Sequence, residues 1–209
     1  MVTKLAAANR QLSTAIRMFF ADDDAVSVHT LACAAREIYE NHCGQAGQHR
    51  MFDFVRAGNP RYADRDLRNL LNAARNFFKH PGNSLGEQIE FNDSMNDFQL
   101  LSACIDCETL CTPHQPPEVQ AYSLWFVATE QPDEGAMVSA DPTEADLVRR
   151  MQTEIDRRYP GLRTASRQEK KRFGRQLLTD ALAGRLVERT DEPSEGDVEI
   201  GPNVYVAGS

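Results

Sequence analysis

The sequence predicts an all-α fold: a four- to five-helix bundle with a small C-terminal extension of helix plus β-hairpin. Three observations predict it. Apolar residues recur at helical spacing through most of residues 4–126. Proline, glycine and short polar residues stand where helices would start or stop. Strand-like patterns are confined to residues 186–189, 198–200 and 204–206, separated by polar and Gly-Pro turns.

Residues 4–20 place Leu5, Ala8, Leu12, Ala15, Ile16 and Phe19 on one stripe. Asp22, Asp23 and Asp24 interrupt it and can cap the next helix, 25–43, whose stripe is Val28, Leu31, Ala35, Ile38, Tyr39 and His42. The pair reads as an antiparallel hairpin. The connection 44–62 has no clean period, although Met51, Phe52, Phe54 and Val55 can pack as a turn of helix. A third helix over 63–80 is stopped by Pro81-Gly82, and a fourth over 94–111 starts from Asn92, Asp93 and Ser94. The fifth starts near Pro116-Pro117 and buries Val119, Tyr122, Leu124, Trp125 and Phe126.

Composition shifts at Gln131-Pro132-Asp133-Glu134-Gly135, which divides the chain into a helical domain over 1–130, a linker over 131–140 and a small α+β extension over 141–209. In the extension, Asp141-Pro142-Thr143-Glu144 starts a helix that turns Leu147, Met151 and Ile155 inward and ends at Pro160-Gly161. Ser166 and Glu169 form a capping box for a second helix, with Phe173, Leu177, Ala181 and Leu182 on its apolar face and Gly184 at its end.

The 209 residues are 41% hydrophobic and 26% charged, enough for one medium domain or a domain plus an appendage. No apolar run approaches the ~20 residues of a membrane span, and the start lacks the pattern of a signal peptide. The five cysteines sit at no disulfide-framework spacing, so the expected compartment is the cytoplasm. The net charge of -8 hides segregation: residues 61–80 sum to +3 and residues 148–175 to +7, leaving -18 elsewhere. Anion binding follows the local field, so an acidic total does not exclude nucleic acid.

On the third helix, Leu67, Leu70, Leu71, Ala74, Phe77 and Phe78 fall on one arc and are expected to pack inward. The opposite arc carries Arg68, Asn69, Asn72, Arg75, Asn76, Lys79 and His80, with no carboxylate among them. Asn76 and His80 lie one turn apart on one face. This set suits RNA cleavage without a metal. RNA supplies its own 2′-hydroxyl nucleophile; a histidine near neutral pKa can take or give the proton, and a guanidinium can hold the phosphate. One histidine does not easily perform both proton transfers. A homodimer bringing two copies of His80 together solves this.

The motif Arg75-Asn76-x-x-x-His80 on a small helical bundle resembles the HEPN superfamily, matching its form R-N-x-x-x-H over about residues 1–130. The resemblance implies a metal-independent endoribonuclease, often a toxin or defence effector with a neutralising partner protein, working as a dimer whose motifs meet at the interface. Arg75, Asn76 and His80 would then be the catalytic residues. Gly82 stands where one subgroup carries a modifiable tyrosine, and Pro81 directly follows the histidine. A noncatalytic RNA-binding or protein-interaction module is the alternative, since some members of the superfamily only bind.

Cys104, Cys107, Cys111 and His114 suggest a metal, but on a continuous helix Cys104 and Cys111 are ~10 Å apart in rise, too far for thiolates sharing one zinc. Their spacing suits a buried helix face, and no metal or other cofactor is expected. His29, just off the second helix's apolar stripe, is expected to be structural, with the option of reaching the third helix. In the extension, Arg167, Lys170, Lys171, Arg172 and Arg175 form a basic helix before the expected hairpin. That order looks like the end of a winged-helix module, in which such cations hold nucleic-acid phosphates, DNA included.

Overall fold

The computed structural model describes residues 1–80, 86–111, 114–129, 153, 156–157 and 159–188, and among these every regular element is helical. They are α1 (Lys4–Ala21), α2 (Ala25–Gln45), α3 (Met51–Gly58), α4 (Asp64–Leu71), α5 (Ala73–Lys79), α6 (Met95–Cys111) and α7 (Pro117–Thr129). After them come a 3-10 turn (Leu162–Thr164), α8 (Arg167–Leu182) and α9 (Arg185–Glu188). No helix of the described residues is long and apolar enough to cross a membrane. The chain forms two compact units, residues 1–119 and 120–209. The expected linker, most of the expected helix over 141–160 and the strands beyond residue 188 lie outside the described residues.

In the first unit α2 is the central element, packed along α1 and α6 and touching α5. Local chemistry sets its ends. The Thr3 hydroxyl accepts the Ala6 N–H at 3.1 Å to open α1, and Asp22, at φ 64°, closes it in the left-handed region. The Asp24 carboxylate accepts the Ser27 N–H at 2.8 Å and opens α2, so the tri-aspartate acts as stop and cap. Leu12, Ile16, Phe19 and Phe20 meet Val28, Ala35 and Tyr39 in a core without solvent exposure, to which α6 adds Leu100, Cys104 and Cys107. These cysteines serve as small apolar groups at the spacing of a buried face.

Residues 51–58 are helical, as Met51 to Val55 suggested, and α3 is held at its first residue by a buried carboxylate. Asp106 of α6 is 1% exposed and its Oδ1 accepts the Met51 N–H at 2.7 Å. Burial pushes this carboxyl up to about 6, with Glu40 adding to the shift and the Met51 N–H, Arg36 and Arg50 opposing it.

Two expectations require correction. The helix expected over 63–80 is broken at Asn72, whose φ of -103° and ψ of 5° end α4 and precede α5. A single helical wheel therefore does not run across it. Leu67 and Ala74 are buried and Leu71, Phe77 and Phe78 are half-buried, but Leu70 is 69% exposed. Residues 186–188, expected as strand, belong to the short helix α9, which follows Gly184 at φ 71°. Four residues after a glycine stop are enough for one helical turn.

In the second unit, Trp125 is fully buried and its Nε1 donates to the Lys170 carbonyl at 2.7 Å. Arg163 donates to the Val127 carbonyl at 3.1 Å, and Tyr159 packs on Phe173 at 4.7 Å between ring centroids. The capping box of Ser166 and Glu169 is formed in both directions.

Two outcomes follow from this packing. Leu12→Ala should destabilise the chain by about 3 kcal/mol, the usual cost of a buried leucine truncation, measured as a lower urea midpoint with unchanged slope. A loss under about 1 kcal/mol would show that α1 is not part of the cooperative core. Asp106, with its carboxyl raised from 3.8 to about 6, favours folding fully below pH ~4, and that contribution is lost as pH rises through ~6. The stability of Asp106→Asn relative to wild type should therefore climb between pH ~4 and ~7, by up to about 3 kcal/mol. A flat difference across that window would mean the carboxyl titrates normally.

Candidate functional site

The α4–α5 face is built from α2 outward. Phe78 of α5 meets His29 of α2 edge-on at 5.8 Å and Phe91 at 5.0 Å, and His29 meets Phe91 at 5.1 Å. This aromatic cluster anchors the C-terminal end of α5. His29 does reach the third predicted helix, but as part of the core: it is 1% exposed, its Nδ1 lies 2.9 Å from Asn96 Oδ1, and its Nε2 has no hydrogen-bond partner. Burial lowers its pKa, against the Asn96 hydrogen bond, and favours the neutral ring.

Two residues past Phe78, His80 is exposed. Its N–H donates to the Asn76 carbonyl at 3.0 Å, the last bond of α5, and its backbone is extended at φ -110° and ψ 131°. Asn76 and Lys79 are exposed as well. These three groups stand on the wet side of α5, as the arc expected.

Arg75 is placed differently. Its side chain is 17% exposed and its Nη2 is paired with the Glu37 carboxylate of α2, which is 60% exposed. Arg68 behaves similarly: Nη1 meets Glu40 Oε1 at 2.7 Å, and the guanidinium lies 3.7 Å from the centroid of the Phe52 ring. Arg36 completes the seam. It bonds the side-chain oxygen of Asn72 and lies 3.7 Å from Glu40, and both partners of that ion pair are nearly buried. The arc has no carboxylate of its own, yet α2 supplies two. The structure thus brings Arg75 to Glu37 and turns Asn72 inward to Arg36.

Arg36, Glu37 and Glu40 were missed in reading the sequence. Their signal was present as charges spaced one, three and four along α2, at the edge of its apolar stripe, where side chains reach a neighbouring helix.

In the second unit, a groove of about 560 Å³ runs beside α8, lined in part by Tyr159, Arg172, Phe173, Arg175, Gln176 and Thr179. Arg172 and Arg175 are exposed, Arg167 and Lys170 half-buried. Lys171 is 2% exposed and so is withdrawn from any phosphate at the surface.

Among the described residues no group of three or more His, Cys, Asp or Glu is arranged to hold a metal ion. No family model matches the chain, no curated protein matches it, and no solved structure matches it.

Proposed function

We propose that the α4–α5 face takes a phosphate of single-stranded RNA, and that the chain is a metal-independent endoribonuclease of HEPN type. The observation that carries this reading is the end of α5. Phe78 is locked among His29 and Phe91, while Asn76 and His80 are exposed and Arg75 lies beside them at the α2 seam.

In the reaction, the 2′-oxygen attacks phosphorus as one imidazole takes its proton. The bond to the 5′-oxygen breaks as a second imidazole protonates it, leaving a 2′,3′-cyclic phosphate and a free 5′-hydroxyl. Arg75 balances the charge growing on the non-bridging oxygens, and Asn76 orients phosphate or ring. The second imidazole is His80 of another copy, so the active species is a homodimer. An RNase of this kind suits a toxin or defence effector held in check by a partner protein.

A noncatalytic RNA-binding or interaction module is favoured by one feature, the pairing of Arg75 with Glu37, which already balances the guanidinium. Binding of nucleic acid through the extension, duplex DNA included, is favoured by the exposed Arg172 and Arg175 on the α8 groove. The buried Lys171 removes one of the five cations from that reading.

The test is cleavage of single-stranded RNA in EDTA by wild type, Arg75→Ala and His80→Ala, with the helical circular dichroism of each recorded. Loss of a proton-transfer group costs about 10²- to 10⁴-fold and loss of a donor to the developing charge about 10²- to 10³-fold, so both variants should fall at least 100-fold with helicity intact. Equal rates in all three proteins would remove the ribonuclease reading. Duplex DNA affinity lost in the full chain carrying Arg172→Ala and Arg175→Ala, without change in RNA cleavage, would assign DNA binding to the extension.

A further inference from the structure

Three charged residues of α2 face the α4–α5 segment, and they are not equivalent. Arg36 and Glu40 have side chains 7% and 13% exposed, and Asn72 and Arg68 add contacts to them, so they belong to the architecture. Glu37 is 60% exposed while its partner Arg75 is 17% exposed. The guanidinium is therefore the held member of the pair and the carboxylate the wet one. Ion pairs with so exposed a partner contribute little to stability, so the fold has small need of Glu37.

A carboxylate and a phosphate use the same planar donors of arginine. A phosphate approaching Arg75 meets a negative charge already in its place. It must displace that carboxylate into water or sit beside it against like-charge repulsion. A single anion must offset that displacement with the contacts of one phosphate alone. A strand carries further phosphates, and these can meet the exposed Lys79 close by on α5.

We infer that Glu37 is a resident anion that competes with phosphate for Arg75, and that it makes this site selective for a polyanionic strand over isolated phosphate. The inference rests on the phosphate-binding role of the α4–α5 face and adds its specificity-determining residue. Glu37 acts through Arg75 and has no part in the proton transfers.

The test is a double-mutant cycle in the full-length chain: wild type, Glu37→Gln, Arg75→Gln and both together. Binding is measured in EDTA to inorganic phosphate and to a single-stranded RNA whose 2′-positions are all methylated, so that no cleavage intervenes. Glu37→Gln should bind the strand roughly two- to five-fold more tightly, the scale of one exposed ion pair, and should gain measurable affinity for inorganic phosphate. Both gains should vanish in the Arg75→Gln background. Thermal midpoints of wild type and Glu37→Gln should agree, so that the gain in binding does not reflect a change in folding.

Unchanged affinity in Glu37→Gln, or a gain that persists without Arg75, would overturn the inference. Weaker binding would overturn it too, by showing that Glu37 holds Arg75 in place for phosphate. So would absence of binding by every variant. Failure of wild type to cut unmodified RNA is a separate result: it removes the ribonuclease reading, while the methylated strand still reports on Glu37. Cleavage with a flat cycle keeps that reading and removes the role of Glu37.

Discussion

The α4–α5 face depends on the polar edge of α2. That helix is buried against α1 and α6 along its apolar sides, so its remaining edge is fixed in position before α4 and α5 meet it. Arg36 and Glu40 on this edge are nearly out of water, and a buried charge is tolerable only while paired and hydrogen-bonded. The partners come from across the seam: Asn72 for Arg36 and Arg68 for Glu40. Losing either would leave that desolvated charge with only its ion-pair partner on α2. Two short helices with one buried residue each thus take their position from these polar contacts together with the Phe78 cluster.

This explains which parts of the fold were legible from sequence. Helix ends marked by local chemistry were readable, because a cap is satisfied within three residues: Asp24 and the Ser166–Glu169 box act as their types suggest. Long apolar stripes were readable for the same reason, since a helix with Leu12, Ile16 and Phe19 on one side has one way to hide them. The break at Asn72 was not. Asparagine inside a helical pattern is only mildly unfavourable, and what ends α4 there is accompanied by a bond to a residue far away in sequence, Arg36. Leu70 is a separate miss: it shares α4 with the buried Leu67 and precedes the break, yet it is 69% exposed.

The candidate site was legible in composition and illegible in pairing. Asn76, Lys79 and His80 are exposed because their positions relative to Phe78 and Ala74 are local facts of α5. Whether an arginine is available to a ligand is not a local fact. Arg68 and Arg75 have long stems, and each finds a carboxylate one helix away. The positive charge counted over residues 61–80 is therefore partly spent within the protein, and the field felt by an approaching anion is weaker than the count implies.

In the proposed ribonuclease reading, His80 carries the remaining constraint. Within the protomer, His29 behind this face is enclosed by Phe78 and Phe91, and burial lowers its pKa. It cannot exchange protons with a bound strand, because doing so would place a cation in an apolar cage. In that reading the second proton transfer comes from outside the protomer or from solvent. The exposed Leu70 on the preceding helix is compatible with self-association, but a single apolar side chain is ordinary on protein surfaces and carries little weight by itself. In the proposed reaction the stronger reason for two copies is chemical: one exposed imidazole at the end of one helix can be acid or base at a given instant, and phosphodiester transfer needs both.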